Sequence, residues 1–137
     1  MIYLLDANTW IQHLRGRNST ITHKLSTLHP GNIRLCSIVR AELLFGALRS
    51  AQPTHNWALV EHFCRRFVSL PFDDHAADAY AEIRAHLAAT GQLIGPNDLL
   101  IAAIALANNL ILVTHNIREF NRVLGLQLED WEASTSP

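Results

Sequence analysis

Three acidic residues that are far apart in the chain stand at positions where local structure does not require a charge. Asp6 directly follows the apolar run of residues 2–5. Glu42 falls on the apolar stripe of a predicted helix, since the positions three and four residues away from it are mostly apolar. Asp98 lies in the first turn of another predicted helix, in which residues 99–107 are all apolar. Each has an ordinary alternative role: Asp6 as a turn cap, Glu42 as a partner of an arginine, and Asp98 as a complement to the helix dipole.

Taken together, these side chains favour a metal site. Three carboxylates in one crevice without a cation would repel one another and raise their own pKa values, at a cost of several kcal/mol in a poorly solvated site. A divalent cation is the simplest compensation. Mg²⁺ and Mn²⁺ prefer oxygen ligands and retain waters or substrate phosphate oxygens in their coordination shell.

The stretch from Ile94 to Phe120 is the element around which this site must be built. Its apolar part, residues 99–107, is rich in Leu and Ala and predicts a helix that is buried on nearly all sides. Gly95 and Pro96 are a helix start signal, and the Asn pair that follows the helix is a stop signal. Residues 110–113 then predict a buried parallel strand.

The rest of the chain alternates strands and helices. The predicted strands are residues 2–5, 33–36, 67–70, 110–113 and, at an edge, 126–128. Asn8 and Thr9 are candidate caps of the first helix. This order predicts an α/β fold, a three-layer sandwich with a parallel sheet of about five strands and helices on both faces. Ligands of such sheets bind beyond the carboxyl ends of the strands, where Asp6 and Asn116 directly follow the first and fourth predicted strands.

Length and composition are those of one globular domain. The 137 residues are 49% hydrophobic and carry a net charge of −1, so bulk charge does not indicate a nucleic-acid partner. We expect a single domain over residues 1–132 and a flexible tail over 133–137. No membrane-spanning run or signal peptide is recognised, and we expect a cytoplasmic protein. Cys36 and Cys64 are expected to be reduced, buried thiols.

Four motifs, in order and in register over residues 1–131, resemble those of one known family, the PIN-domain ribonucleases, and specifically the VapC-type toxins of bacterial toxin–antitoxin pairs. They are the short apolar strand ending at Asp6, Arg40-Ala-Glu42-Leu followed by Phe45-Gly46, Gly95-Pro-Asn-Asp98-Leu-Leu-Ile-Ala-Ala, and Leu112-Val-Thr-His-Asn-Ile-Arg-Glu-Phe120. The resemblance implies a five-stranded parallel sheet and metal-dependent cleavage of RNA.

The resemblance also implies roles for individual residues. Asp6, Glu42 and Asp98 are the expected metal ligands and catalytic residues. Many relatives have a fourth acidic residue where this chain has Asn116, which we count as catalytic although an amide brings no charge. Glu119 is a further candidate ligand; equally, it can pair with an arginine three residues later.

Three further residues are expected to assist the reaction or substrate binding, whereas a histidine near the site is not. Thr114 is a candidate for positioning a water or an acidic side chain. Arg15 and Arg17, in the loop after the first predicted helix, are candidate phosphate contacts or plain solvated charges. The eight histidines show no metal-ligand spacing, and His115 is expected to be incidental.

The expected reaction is in-line hydrolysis of an RNA phosphodiester by metal-activated water, with a second ion stabilising the leaving 3′ oxygen. Its products would carry 5′-phosphate and 3′-hydroxyl ends. By family resemblance the substrate is tRNA, cut in or near the anticodon loop. The resemblance further implies a VapB-type antitoxin that binds across the crevice, and a homodimer in which Phe45, Leu48 and Trp57 are either interface or core residues.

Two other functions stay open at this stage. A noncatalytic module would use the acidic crevice only to bind a partner. A haloacid-dehalogenase-like phosphatase would use Asp6 as a phosphorylated nucleophile, but such enzymes have a second Asp where this chain has Asn8, and they also use a downstream lysine. Lys24 is the single lysine of the chain.

Overall fold

A parallel sheet of five strands forms the centre of the molecule. The computed structural model describes residues 1–132, and the predicted tail, residues 133–137, lies outside the described residues. The strand order is β3-β2-β1-β4-β5 and all four pairings are parallel, which confirms the predicted fold class. The strands are β1 Tyr3–Leu5, β2 Ile33–Cys36, β3 Val68–Leu70, β4 Ile111–Val113 and β5 Gln127–Glu129.

Helices connect the strands and flank the sheet. In chain order they are α1 Ala7–Leu14, α2 Ser19–Ser26, α3 Ser37–Leu48, α4 Pro53–Cys64, α5 Asp74–Ala89, α6 Pro96–Ala107 and α7 Ile117–Phe120, with a 3₁₀ turn at Pro30–Asn32. Right-handed crossovers in this strand order put α1–α4 on one face and α5–α7 on the other. The packing agrees, since α1 contacts α2 and α3, α3 contacts α4, and α5 contacts α6. None of the helices within residues 1–132 is long and apolar enough to cross a membrane.

The apolar helix α6 is as buried as its sequence predicts. Residues 101–105 are each no more than 1% exposed. The helix begins at Pro96 and ends at Ala107, and Asn109 then takes a left-handed backbone conformation with φ of 54°. Asn tolerates this conformation better than most residues, which explains why the chain can turn there into β4.

The start of α1 differs from the sequence prediction. We predicted Asn8 or Thr9 as the cap, but the helix already begins at Ala7 and its N-cap is Asp6, whose Oδ1 accepts a hydrogen bond from the Thr9 amide at 2.8 Å. A carboxylate one residue before the helix reaches this amide better than the predicted residues, which lie inside the first turn. The prediction of Asn8 or Thr9 was therefore wrong, whereas the alternative role of Asp6 as a cap is confirmed, and Asp6 is held by the helix that follows it.

The strand order places the ends of β1 and β4 at the point where the sheet changes direction. From β1 the chain proceeds outward through β2 to β3, whereas β4 lies on the other side of β1 and is followed outward by β5. Such a switch point leaves a crevice beyond the carboxyl ends of the two central strands. Leu5 pairs with Val113 in register, so the next residues, Asp6 and Thr114, are neighbours across the two strands.

Both cysteines are free and buried, as predicted.

Candidate active site

Asp6 is fixed in the crevice by bonds to both of its carboxylate oxygens. Oδ1 caps α1, and Oδ2 accepts a hydrogen bond of 2.6 Å from the Thr114 hydroxyl. The side chains come from residues 108 positions apart in the chain, and both residues are buried, Asp6 being 8% and Thr114 0% exposed. The carboxylate of Asp6 therefore has one orientation, set jointly by β1, α1 and β4.

Thr114 acts on the acidic side chain in this arrangement. Its hydroxyl group donates a hydrogen bond to Asp6, and its oxygen accepts a 3.0 Å hydrogen bond from the Asn116 backbone amide. The hydroxyl thus holds the loop after β4 against the start of α1. Of the two roles expected from the sequence, positioning of a carboxylate is the one visible in these contacts; positioning of a water remains a prediction.

Asp98 is the residue at which the charges of the crevice converge. Burial first, and then the nearby carboxylates of Glu119, Asp6 and Glu42 in that order, together raise its pKa from 3.8 to about 6. The N-cap of α6 is Gly95, which has no side chain to cap the helix start. Four carboxylates thus share one electrostatic environment, three of which the sequence placed together.

Glu42 reaches the crevice from the second turn of α3. Burial raises the pKa of its carboxyl, a hydrogen bond from the Asn97 side chain lowers it, and the negative charge of Asp6 raises it. Asn97 precedes Asp98 on α6, and sequence reasoning gave it no role. A polar side chain beside Asp98, at the start of a mostly apolar helix, is the sequence feature that could have indicated a role for Asn97.

Glu119 enters the site from α7. Its Oε1 accepts a 2.7 Å hydrogen bond from the Gly95 backbone amide, and its Oε2 accepts one of 2.8 Å from the Asn116 side-chain amide. These two bonds lower the pKa of Glu119, and Arg122 makes only the smallest contribution in that direction. Of the two alternatives for Glu119, the side chain faces the acidic site, while Arg122 donates instead to the Leu93 carbonyl at 3.3 Å.

Gly95 lets these two carboxylates approach the start of α6. A methyl group on its α-carbon would lie 3.5 Å from the Asp98 Oδ2 and 3.8 Å from the Glu119 Oε1. The α-carbon therefore faces the space between the two acids. Asn116, whose amide is used by Glu119, is exposed at the rim of the same crevice.

The donor set of the crevice consists of oxygen atoms of carboxylates, with a threonine hydroxyl and an amide beside them. Hard divalent cations such as Mg²⁺ and Mn²⁺ prefer this set. Burial, and after it the charge of neighbouring carboxylates, raises the pKa values of Asp98 and Glu42, and a bound cation would offset both effects. The ligand types therefore suit a divalent metal ion, but among residues 1–132 no three of these carboxylates have oxygens that all lie within 4.8 Å of one another, so binding of an ion would have to draw them together.

Comparison with known proteins identifies the family. The PIN domain family model matches residues 3–126. A protein of Shigella flexneri named tRNA(fMet)-specific endonuclease VapC is 38% identical over 129 residues, which cover 94% of this chain and 97% of that protein. Ribonuclease VapC2 of Haemophilus influenzae is 39% identical with the same coverage. The chain belongs to the PIN-domain VapC ribonucleases. It is accordingly an endoribonuclease of the toxin class.

Solved structures of VapC proteins have the same fold over nearly the whole chain. The chain matches VapBC2 of Rickettsia felis, bound to a DNA fragment from the promoter, with a TM-score of 0.87 and 37% identity, covering 96% of this chain and 99% of that one. It matches the DNA-bound VapBC of Salmonella typhimurium with a TM-score of 0.88 and 37% identity, covering 96% of this chain and 98% of that one.

The two candidate phosphate contacts lie away from the acidic cluster of this VapC chain. Arg15 and Arg17 are exposed in the turn after α1, whereas Asp6 stands at the opposite end of that helix. A helix of eight residues is about 12 Å long, so a contact of either arginine with RNA would lie beside the reacting phosphate and not on it. Their role in substrate binding remains a prediction.

An apolar groove of about 720 Å³ adjoins the site and includes Glu42 in its wall. It lies between α1–α2 and α3–α4, and its apolar lining includes Trp10, Leu43 and Leu59. Basic and imidazole side chains also line it, namely Arg15, Arg66, His13 and His62. Glu42 is thus the point at which the apolar groove and the acidic crevice meet.

Proposed function

We propose that this VapC chain is a Mg²⁺- or Mn²⁺-dependent endoribonuclease in which Asp6, Glu42, Asp98 and Glu119 hold the metal. The main support for this proposal is the electrostatic environment of Asp98, whose pKa is raised to about 6 by burial and by three other carboxylates. A protein that used these residues only to bind a partner would not need such a concentration of unpaired charge. The family assignment likewise favours the nuclease over the binding module and the phosphatase.

The residues of the chain divide the work of the reaction. When bound, Mg²⁺ or Mn²⁺ supplies positive charge for the scissile phosphate and makes a water acidic enough to attack near neutral pH. Thr114 holds the Asp6 carboxylate in place through its 2.6 Å hydrogen bond. Glu119 joins α7 to the start of α6 through the Gly95 amide and so fixes the approach of Asp98. Asn116 keeps Glu119 oriented and is catalytic in this indirect sense.

The test uses two aspartates that cap helices in the same way. Asp6→Asn keeps an N-cap acceptor but removes a charge from the crevice, and Asp73→Asn makes the same change at the start of α5. With Mn²⁺ and RNA, we expect Asp6→Asn to lose cleavage at least 100-fold and Asp73→Asn to retain it. Cleavage should leave 5′-phosphate ends. Products with 2′,3′-cyclic phosphate, or equal activity in both variants, would contradict the proposal.

We further propose that the substrate is tRNA, cut in or near the anticodon loop. The support is the name of the 38% identical relative, a tRNA(fMet)-specific endonuclease. Loops with unstacked bases are the parts of RNA that proteins read most readily by sequence. Mapping new 5′ ends in total RNA after a short incubation should give a single dominant site in one tRNA or a few, whereas cuts spread over messenger and ribosomal RNA would contradict this substrate.

The partner that we propose is a VapB-type antitoxin lying in the apolar groove. Related chains are solved as VapBC complexes. A groove of about 720 Å³ with apolar walls suits an amphipathic peptide segment. Because Glu42 lies in the wall of the groove, a basic side chain of a partner bound there could reach this carboxylate and compete with the metal.

Two leucines of similar exposure test the groove. Leu59 lies in its wall and is 54% exposed, while Leu124 is 71% exposed and lies outside it. With the antitoxin encoded beside the toxin, Leu59→Glu should weaken binding at least tenfold, since a carboxylate would have to be buried against an apolar partner. Leu124→Glu should bind normally. An equal effect of both substitutions would place the antitoxin elsewhere.

The homodimer and the cytoplasmic location also remain proposals. Phe45 and Leu48 on α3 are 59% and 57% exposed, so they are not core residues, and Trp57 on α4 is half-buried. Exposed apolar side chains on adjacent helices are typical of an interface. Sedimentation of the Phe45→Glu and Leu48→Glu double variant should give a monomer if these residues form the contact; a dimer that persists would exclude it.

A further inference from the structure

A second cluster of metal-ligating side chains lies on the outer side of the loop that follows β4. The Nδ1 atom of His115 is 3.0 Å from the Asp130 Oδ2 and 3.9 Å from the Glu132 Oε2. Ligand atoms of the three residues all lie within 4.8 Å of one another. None of these residues belongs to the carboxylate cluster around Asp98.

The backbone explains how the three side chains meet. Beyond β5 the chain carries Asp130 and Glu132 on either side of Trp131, which is 5% exposed and packs edge-on against Tyr3 at 5.2 Å between ring centroids. The chain bends at residues 131 and 132, and the side chains of Asp130 and Glu132, 19% and 16% exposed, both lie near His115. An additional hydrogen bond, from the Glu132 backbone amide to the Asp130 Oδ1 at 2.9 Å, holds the two acids together.

Hydrogen bonding alone leaves this cluster incomplete. A single Nδ1 atom faces two carboxylate oxygens, and one N–H group can serve only the nearer one well. The Glu132 Oε2 is inaccessible to solvent and has no hydrogen-bond partner among residues 1–132. A buried carboxylate oxygen without a donor is costly, and binding of a cation is one of the few ways to compensate for it.

The distances suit a small ion with mixed nitrogen and oxygen ligands. Atoms bound to zinc at about 2.0–2.1 Å lie roughly 3.3 Å apart in a tetrahedral site. The two separations from His115, 3.0 and 3.9 Å, lie on either side of this value, and ligand atoms of all three residues lie within 4.8 Å of one another, so rotations of His115 and of the acidic side chains would complete the geometry.

We propose that His115, Asp130 and Glu132 bind a divalent transition-metal ion of the zinc type, at a site separate from the carboxylate crevice. An imidazole with two carboxylates favours Zn²⁺ over Mg²⁺, which prefers oxygen ligands alone. Three protein ligands leave the fourth position to water. The ion joins the loop after β4 to the segment after β5. Because Thr114 and Asn116 flank His115 and contact Asp6 and Glu119, the ion also braces the catalytic loop.

The experiment is a titration of the full-length protein with Zn²⁺ in excess Mg²⁺, which keeps the all-oxygen crevice occupied. Calorimetry should show one further equivalent of Zn²⁺ bound. His115→Asn and Glu132→Gln each remove one ligand and should weaken this binding at least tenfold. His75→Asn, which changes another exposed histidine, on α5, is the matched control and should bind like the parent protein.

Thermal unfolding gives an independent readout, because an ion that binds only the folded chain raises its melting temperature. Zn²⁺ should raise the melting temperature of the parent protein and of His75→Asn, but not that of His115→Asn. If His115→Asn still binds the second equivalent, or if Asp98→Asn abolishes it, the proposed site is wrong. Nuclease activity with Mg²⁺ is a separate measurement, so the failure of one proposal does not decide the other.

Discussion

Asp6 and Asp73 make the same local contact in very different surroundings. Each is the N-cap of a helix and accepts a hydrogen bond from the amide three residues later, at 2.8 Å for Asp6 and 3.0 Å for Asp73. Asp73 is exposed, whereas Asp6 is 8% exposed and is also bound by Thr114. The capping bond is therefore compatible with a site residue, and evidence for one role is not evidence against the other.

The next pair extends the comparison. Asp74 and Asp98 both stand in the first turns of their helices, α5 and α6, where a negative charge suits the helix dipole. Asp74 is exposed, but Asp98 is half-buried among three other carboxylates that raise its pKa. The difference lies in the rest of the fold, since α6 starts beside the switch point of the sheet.

The largest effect is expected when the two first-turn aspartates are compared by activity. Asp98→Asn should reduce metal-dependent RNA cleavage more than about 100-fold, beyond the 10- to 100-fold typical of residues outside the first metal shell. Asp74→Asn, an identical change on the exposed helix, should leave the rate unchanged. Circular dichroism would check that both variants are folded. Comparable activity of the two variants would contradict the proposal that Asp98, unlike Asp74, takes part in the reaction.

A smaller loss should follow from Glu119→Gln. The amide keeps an acceptor for the Gly95 amide but removes one charge from the proposed metal site, so we expect activity to fall at least about 10-fold and the Mg²⁺ concentration for half-maximal rate to rise. Glu82→Gln, on the exposed surface of α5, is the matched change. A Glu119→Gln enzyme with the parent's metal dependence would restrict Glu119 to a structural role.

The pH dependence of stability should separate the same helix starts. Since the pKa of Asp98 is raised to about 6 in the folded chain, the folded state binds more protons than the unfolded state between about pH 4 and pH 6. Without metal, the free energy of unfolding should therefore fall as pH rises through this window. Urea unfolding in EDTA measures it. Asp98→Asn should flatten the slope and Asp74→Asn should keep it; a slope unchanged by Asp98→Asn would assign it to other groups.

The smallest effect concerns the caps themselves. Asp73→Ala removes the acceptor for the Ala76 amide and should lower stability by about 1 kcal/mol without changing activity. Asp73→Asn should restore stability. At the start of α1 we expect the opposite result, in which Asp6→Asn keeps the stability of the parent protein but loses nuclease activity. Thermal melts of the three variants, compared with their cleavage rates, would reveal any coupling between the capping and catalytic roles.

Much of this arrangement could be read from the sequence. The apolar helix α6, the alternating strands and the positions of Asp6, Glu42 and Asp98 follow from hydrophobic patterning and from the rule that parallel strands end at one edge. The partner of the Glu119 carboxylate could not be predicted from the sequence. Whether it binds Arg122 or the Gly95 amide depends on how α7 packs against α6. The cluster at His115 was missed for a similar reason. Its acidic partners lie in the segment after β5, and no local spacing reveals them.

The hydrogen bond between Asp6 and Thr114 joins residues 108 positions apart. Glu119 enters the site even later in the chain. During translation the proposed catalytic centre therefore stays incomplete until Glu119 has been synthesised, whatever order the helices fold in. Assembly from such distant residues makes the proposed cleavage of RNA a late property of the growing chain.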